Sequence, residues 1–154
     1  MNTTHAELTT GSTGTSTGLL GTVEHAAPLA GRFLLSFIFL MSAVGKATQF
    51  SGTAAMMESK GFPVAPFFLV MAILFEVLGG LSVLTGFKAR IGALALIVFL
   101  IPATLIFHNF WAYTGMEQMG QMTNFLKNIS IMGGLLTIVS RGSGPLSLDG
   151  RSAK

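Results

Sequence analysis

From Pro28 onward the chain alternates long apolar runs with short polar breaks. The runs cover residues 28–48, 65–86, 91–109 and 123–140. Each approaches the length of about 20 apolar residues that crosses a hydrocarbon layer as a helix. The breaks are "QFSGTAAMMESKGFP", "GFKAR" and "FWAYTGMEQMGQM", rich in residues that end helices or prefer a wet boundary. Backbone polar groups in lipid must be satisfied within the segment, so apolar runs of this length predict helices. The expected fold is all-α, a membrane four-helix bundle of antiparallel spans. Pro28 suits the first turn of the first helix, Pro102 predicts a kink in the third, and Met56 and Met57 mark a short interfacial helix between the first two spans.

The flanks read differently. Residues 1–27 are rich in Thr, Ser and Gly. They lack the cationic start and apolar core of a signal peptide, and too little apolar surface offsets the entropy of ordering them. A disordered polar tail is the expectation. Residues 142–154 read as a polar C-terminal tail.

Composition agrees with a membrane location. The chain is 51% hydrophobic and 10% charged, against about 25% charged in soluble domains. It has no cysteine, which excludes disulfides, thiol relays and cysteine-held clusters. The net charge of +3 is spread singly, with no basic, aromatic-studded patch, so no nucleic-acid partner is expected. Four spans put both termini on one side. That side collects Arg32, Lys88, Arg90, Arg141, Arg151 and Lys154, while the other has Lys46, Lys60 and Lys127. The positive-inside rule places both termini in the cytoplasm of a bacterial inner membrane.

Against this background Glu76, in "MAILFEVLGG", is conspicuous. At about 1.5 Å rise per residue, Lys46 lies about 21 Å above Arg32, and Lys127 the same distance above Arg141. Glu76 is about 18 Å above Lys88, and His108 about 27 Å above Arg90. Polar groups from four helices thus share the outer half of the bilayer. A mid-membrane carboxylate costs about 2.5–3.5 kcal/mol on insertion scales. Pairing with Lys46 or Lys127 offsets much of that. Helical spacing joins Lys127, Ser130, Gly134, Thr137 and Arg141 in one polar stripe expected to face inward. Gly79 and Gly80 share the face of Glu76 and permit close helix approach, as do Gly133 and Gly134 on the fourth span. Such a charge cluster works as a site or holds the helices in register.

The stretches "GRFLLSFIFLMSAVGK", "KGFP", "FEVLGGLSVLTGFKARIGALAL", "HNFW" and "FLKNISIMGGLL" occur in an order and spacing that resembles the DoxX family of small four-span membrane proteins. The resemblance spans about residues 31–140. It implies Arg32, Lys46, Glu76, Gly80, Arg90, His108, Trp111, Lys127 and Asn128 as characteristic positions. It also implies membrane redox work, since some relatives serve quinone-coupled sulfur oxidation.

Three functions are in view. The first is a quinone-linked redox subunit without an intrinsic cofactor, its candidate ligand site lined by Lys46, Glu76, His108, Trp111 and Lys127. Quinone reduction needs proton delivery, which Glu or His supplies; electrons would come from a protein partner. Arg32, Gly79, Gly80, Arg90, Asn128, Gly133 and Gly134 are assigned to packing. The second is a binding or transport protein for a small anionic solute. The third is a scaffold whose charge cluster only clasps helices. A protein partner or homo-oligomer within membrane lipid is expected in each. Met116, Met119 and Met122 suggest thioether ligation of Cu(I), but with no His or Cys nearby in sequence interface packing is the better account, and no metal site is expected.

Overall fold

The computed structural model describes residues 18–152. Among them the order is α1 (Leu19–Thr48), α2 (Phe50–Ser59), α3 (Ala65–Thr85), α4 (Ala89–Phe107), a 3-10 turn (Phe110–Ala112), α5 (Gly115–Arg141) and α6 (Leu148–Ser152). No strand occurs among the described residues. The helices α1, α3, α4 and α5 are each long and apolar enough to cross a membrane. They pack in series, α1 on α3, α3 on α4 and α4 on α5, while α1 and α5 barely touch. The bundle is therefore open along one seam.

The register of α1 on α3 is antiparallel. Ser42 meets Glu76, Leu40 lies against Gly80, and Arg32 lies beside Gly86. The glycines permit this approach. A Cβ on Gly80 would stand 3.1 Å from the Leu40 side chain, and one on Gly79 would stand 2.6 Å from Leu96 of α4. Gly79 thus seats α4 and Gly80 seats α1. The apolar core runs between them through Phe39, Val83, Leu96, Leu100, Leu135 and Ile138. A second cluster of Ala54, Met57, Ala65 and Leu69 ties α2 to the start of α3.

Several boundaries differ from the sequence reading. The first helix starts at Leu19 rather than Pro28, so part of the expected tail is helical. Leu, Ala and Glu in "LLGTVEHAA" are good helix formers, and a helix already running loses one backbone bond at Pro28 without ending there. The rest of the expected tail, residues 1–17, lies outside the described residues. Likewise α5 begins at Gly115, inside the stretch read as a loop. Thr114 is extended there, and Glu117 in the first turn suits the positive end of the helix dipole. On α5 the buried positions are Asn128, Leu135 and Ile138, and of the predicted polar stripe only Lys127, which lines a cavity, and Gly134 reach the interior. Ser130 and Thr137 are exposed and donate to their own helix backbone at Leu126 and Gly134. Gly134 approaches Leu35 of α1, but Gly133 is exposed and faces no neighbour. Pro102 leaves α4 continuous from Ala89 to Phe107.

The C-terminal segment is a folded clasp rather than a loose tail. Arg32, read as a membrane-edge cation, is only 2% exposed and donates through Nη2 to the Leu146 carbonyl. The Asp149 carboxylate accepts from the backbone N–H groups of Lys88 (2.8 Å) and Ala89 (3.1 Å), capping α4. Asp149 N–H donates to the Gly86 carbonyl at 2.9 Å. Gly86 has φ +69°, and a Cβ there would collide with the Arg32 guanidinium and Ser147. Glycine is needed at that turn on both counts.

A pair of substitutions tests the packing role of small residues. Gly79→Ala forces Leu96 to move and is expected to destabilise the protein by about 1–3 kcal/mol. Gly133→Ala meets open space and gains helix propensity, so its change should stay within about 0.5 kcal/mol of zero or be stabilising. Thermal unfolding in detergent distinguishes the two; equal losses would remove Gly79 as the α3–α4 contact.

Candidate functional site

The open seam leads into a cavity of about 530 Å³. All four spanning helices and α2 contribute to its wall. Helix α1 supplies Ile38, Phe39, Ser42 and Lys46, α3 supplies Leu69, Ala72 and Glu76, and α4 supplies Phe99, Leu100, Ala103 and Phe107. His108, Tyr113, Gln121, Lys127, Asn128 and Ile131 close the far side, with Met56, Met57 and Lys60 from the α2 region.

Glu76 is 3% exposed, and its charge is met from one face of α1. Lys46 Nζ lies 2.8 Å from Oε1 and 3.1 Å from Oε2, and the Ser42 hydroxyl donates to Oε1 at 3.0 Å. Ser42 and Lys46 are four residues apart, one helical turn, which is why one carboxylate reaches both. Lys46 also donates to Ser42 Oγ, closing a three-member network. This is the one ion pair among the described residues. A buried carboxylate without such donors would carry its whole desolvation cost.

Lys127 lines the same cavity but has a different partner. It is exposed and donates to Asn124 Oδ1 at 2.9 Å on its own helix. Of the two lysines considered for Glu76, the structure pairs Lys46. His108 caps the end of α4, its Nδ1 lying 2.9 Å from Gln121 Oε1 on α5. The amide oxygen accepts here, which makes Nδ1 the donor of this contact and leaves Nε2 facing no protein partner among the described residues. Asn128 Nδ2 donates to Thr104 Oγ1 at 3.0 Å, a buried bond joining α5 to α4. Trp111 does not line the cavity. It is 56% exposed and packs edge-on against Phe110 and Phe125, as an interfacial aromatic does. Arg90 is exposed at the opposite end of α4.

Two members of the site were not singled out from sequence. Lys60 Nζ donates to the Tyr113 hydroxyl at 2.8 Å and sits 5.4 Å from the ring centre, tying the α2 end to the α4–α5 connection. Gln121 lay in the presumed loop. The signal for both was weak: a single cation in a polar connector, and a glutamine in the stretch "GMEQMGQM" that reads as a loop.

The arrangement matches known proteins as well as the physics. The DoxX family model matches residues 27–109, which include α3, α4 and most of α1. The chain belongs to the DoxX family. It is similar to the inner membrane protein YqjF of Escherichia coli, 35% identical over 82% of this chain and 92% of that protein. It is also similar to the inner membrane protein YphA of the same organism, 32% identical over 80% of this chain and 88% of that one. A more distant likeness links it to the ER-derived vesicles protein ERV29 of Saccharomyces cerevisiae, 27% identical over half of this chain and a quarter of that protein. No solved structure matches it. The protein is an integral, multi-pass inner-membrane member of the DoxX family.

The pairing makes a discriminating double-mutant cycle. Glu76→Gln and Lys46→Met should each destabilise by about 1–3 kcal/mol, with a coupling of at least about 0.5 kcal/mol between them. Glu76→Gln and Lys127→Met should add, because those side chains share no bond. Unfolding midpoints in detergent give both cycles, and a coupling confined to Lys127 would overturn the assignment.

Proposed function

We propose that the protein is a quinone-binding subunit or accessory of a membrane redox system, its termini in the cytoplasm. The observation that carries this reading is the cavity's division of labour. Its lining is largely aromatic and aliphatic, with Phe39, Phe99, Phe107, Leu69 and Leu100, and carries a few polar groups from different helices, among them Glu76, His108 and Lys127. A flat ring with a carbonyl at each end asks for that: apolar faces and a hydrogen-bond donor at either edge. Lys60 and Tyr113, from the α2 end and the α4–α5 connection, and Lys127 on α5 offer such donors. The residues present fit such a group.

When bound, a quinone supplies two-electron redox chemistry. The chain's own side chains handle protons and orientation. Glu76 Oε1 already accepts two hydrogen bonds, whereas Oε2 accepts only the longer Lys46 contact, so Oε2 is the oxygen with room to accept a hydrogen bond from a ligand hydroxyl. His108 Nε2 is a proton-holding atom on the cavity wall. Electrons would reach the site from a protein partner.

A second reading has an observation of its own. The Lys46–Ser42–Glu76 network joins α1 to α3 whether or not anything enters the cavity, which suits a scaffold that presents a soluble partner at the membrane. Mass spectrometry of small molecules co-purifying in mild detergent separates the readings. A stoichiometric quinone, lost in Glu76→Gln and in His108→Ala, is expected. No quinone together with a large loss of stability in Glu76→Gln would sink the redox reading and leave the clasp.

A further inference from the structure

At the opposite end of the bundle a second cavity, of about 490 Å³, opens between the start of α4, the end of α5 and the C-terminal clasp. Its charged lining is Lys88, Arg90, Arg141 and Asp149. Asp149 is committed: both carboxylate oxygens accept backbone N–H groups at the start of α4. The helix terminus itself is therefore occupied. The three cations are not. Among the described residues, neither Arg90 nor Arg141 makes an ion pair or a hydrogen bond, and Lys88 only leans over the Phe87 ring at 5.7 Å. The Arg90 guanidinium lies over Gly142, where a Cβ would stand 3.5 Å from Nε and from Nη2, so glycine leaves that face open. Behind this wall, near Ser143, the buried Arg32 leaves Nε and Nη1 without partners and adds positive potential.

The rim decides what kind of anion belongs there. Ile91, in the cavity lining, is 66% exposed, and Phe87 beside it is 55% exposed. Both stand where the apolar span of α4 begins, so the cavity straddles the boundary between headgroup and acyl layers. An anion with hydrocarbon attached satisfies both halves. Two arginines suit phosphate oxygens, which they bind in forked geometry.

We propose that this cavity binds the phosphate of an anionic phospholipid, with Arg90 and Arg141 on the phosphate and an acyl chain along Ile91. This inference is independent of the quinone reading, since no cavity residue is shared.

The test is native mass spectrometry and thermal unfolding of the full chain in detergent, titrated separately with phosphatidylglycerol, phosphatidylcholine and inorganic phosphate. Phosphatidylglycerol should be retained and raise the unfolding midpoint; phosphatidylcholine should do neither. Arg90→Gln with Arg141→Gln should weaken phosphatidylglycerol retention about thirtyfold, as expected for two interfacial cations. The charge-matched Lys60→Gln with Lys127→Gln, which line the other cavity, should leave it nearly unchanged. Equal loss in both double variants would mean diffuse charge attraction and overturn the site. Equal stabilisation by inorganic phosphate would make it a free-anion site and overturn the lipid assignment. If the Arg90/Arg141 double variant does not fold, the two single variants are read in the same way, each with about a fivefold loss.

Discussion

One carboxylate in an apolar helix sets the terms for the rest of the molecule. Glu76 is nearly fully buried, and no water-exposed alternative is open to it halfway along α3. Its charge must be met by donors on a neighbouring helix at a fixed height. Ser42 and Lys46 meet it together, and doing so sets the rotation and the register of α1 on α3. The next turn of α3 is Gly79–Gly80, which removes the side chains that would hold α1 and α4 away. In lipid, association between helices draws little on the hydrophobic effect and depends on such close packing and on polar bonds. Charge and glycines are therefore two parts of one contact.

The cavity is a consequence of the same commitment. Because α1 turns its polar face to α3, it has little left for α5, which packs on α4 through Asn128, Leu135 and Ile138. The gap between α1 and α5 is what the lysines, His108 and Tyr113 line. At the other end the problem of a buried charge is solved differently. Arg32 is met by a backbone carbonyl from the C-terminal clasp, and the clasp in turn caps α4 through Asp149. A tail that reads as polar in sequence is thus part of the folded end.

The four apolar helices were legible in the sequence, and the faces of α5 were not. Length and hydropathy fix where an apolar run can cross, and helical rise fixes height, so Lys46, Glu76, His108 and Lys127 could be put at neighbouring levels. Azimuth is another matter. In a soluble helix the apolar stripe marks the inside; in a membrane both lipid and core are apolar, and the stripe marks neither. Phe33, Leu34, Phe37 and Met41 of α1 are exposed while Phe39 is buried, with no difference in residue type to tell them apart. Hence the small polar stripe of α5 seemed to face inward. Its Ser and Thr hydroxyls instead bond their own helix and turn out. Glycine doublets carry the same ambiguity: Gly79–Gly80 is wedged between two helices, Gly133 faces nothing. The start of α1 was hidden by Pro28, which suits a first turn but here lies inside the helix, where it costs a backbone bond and crowds the carbonyl one turn back.

The three lysines of the main cavity also differ in a way that bears on what the cavity does. Lys46 is bound to a buried carboxylate, and taking it away would leave Glu76 charged and unpaired. Lys60 and Lys127 are held by a phenol and an amide, neutral acceptors that water or a ligand can replace at little cost. The cavity thus has one fixed cation and two that are free to change partners. A ligand carrying a carbonyl or negative oxygen would be drawn first to Lys60 and Lys127, whose present partners are neutral. The Lys46–Glu76 pair would keep α1 on α3 throughout, so entry requires no separation of the helices. One lysine of the cavity is thus committed to the helix contact, while the other two are held only by neutral partners.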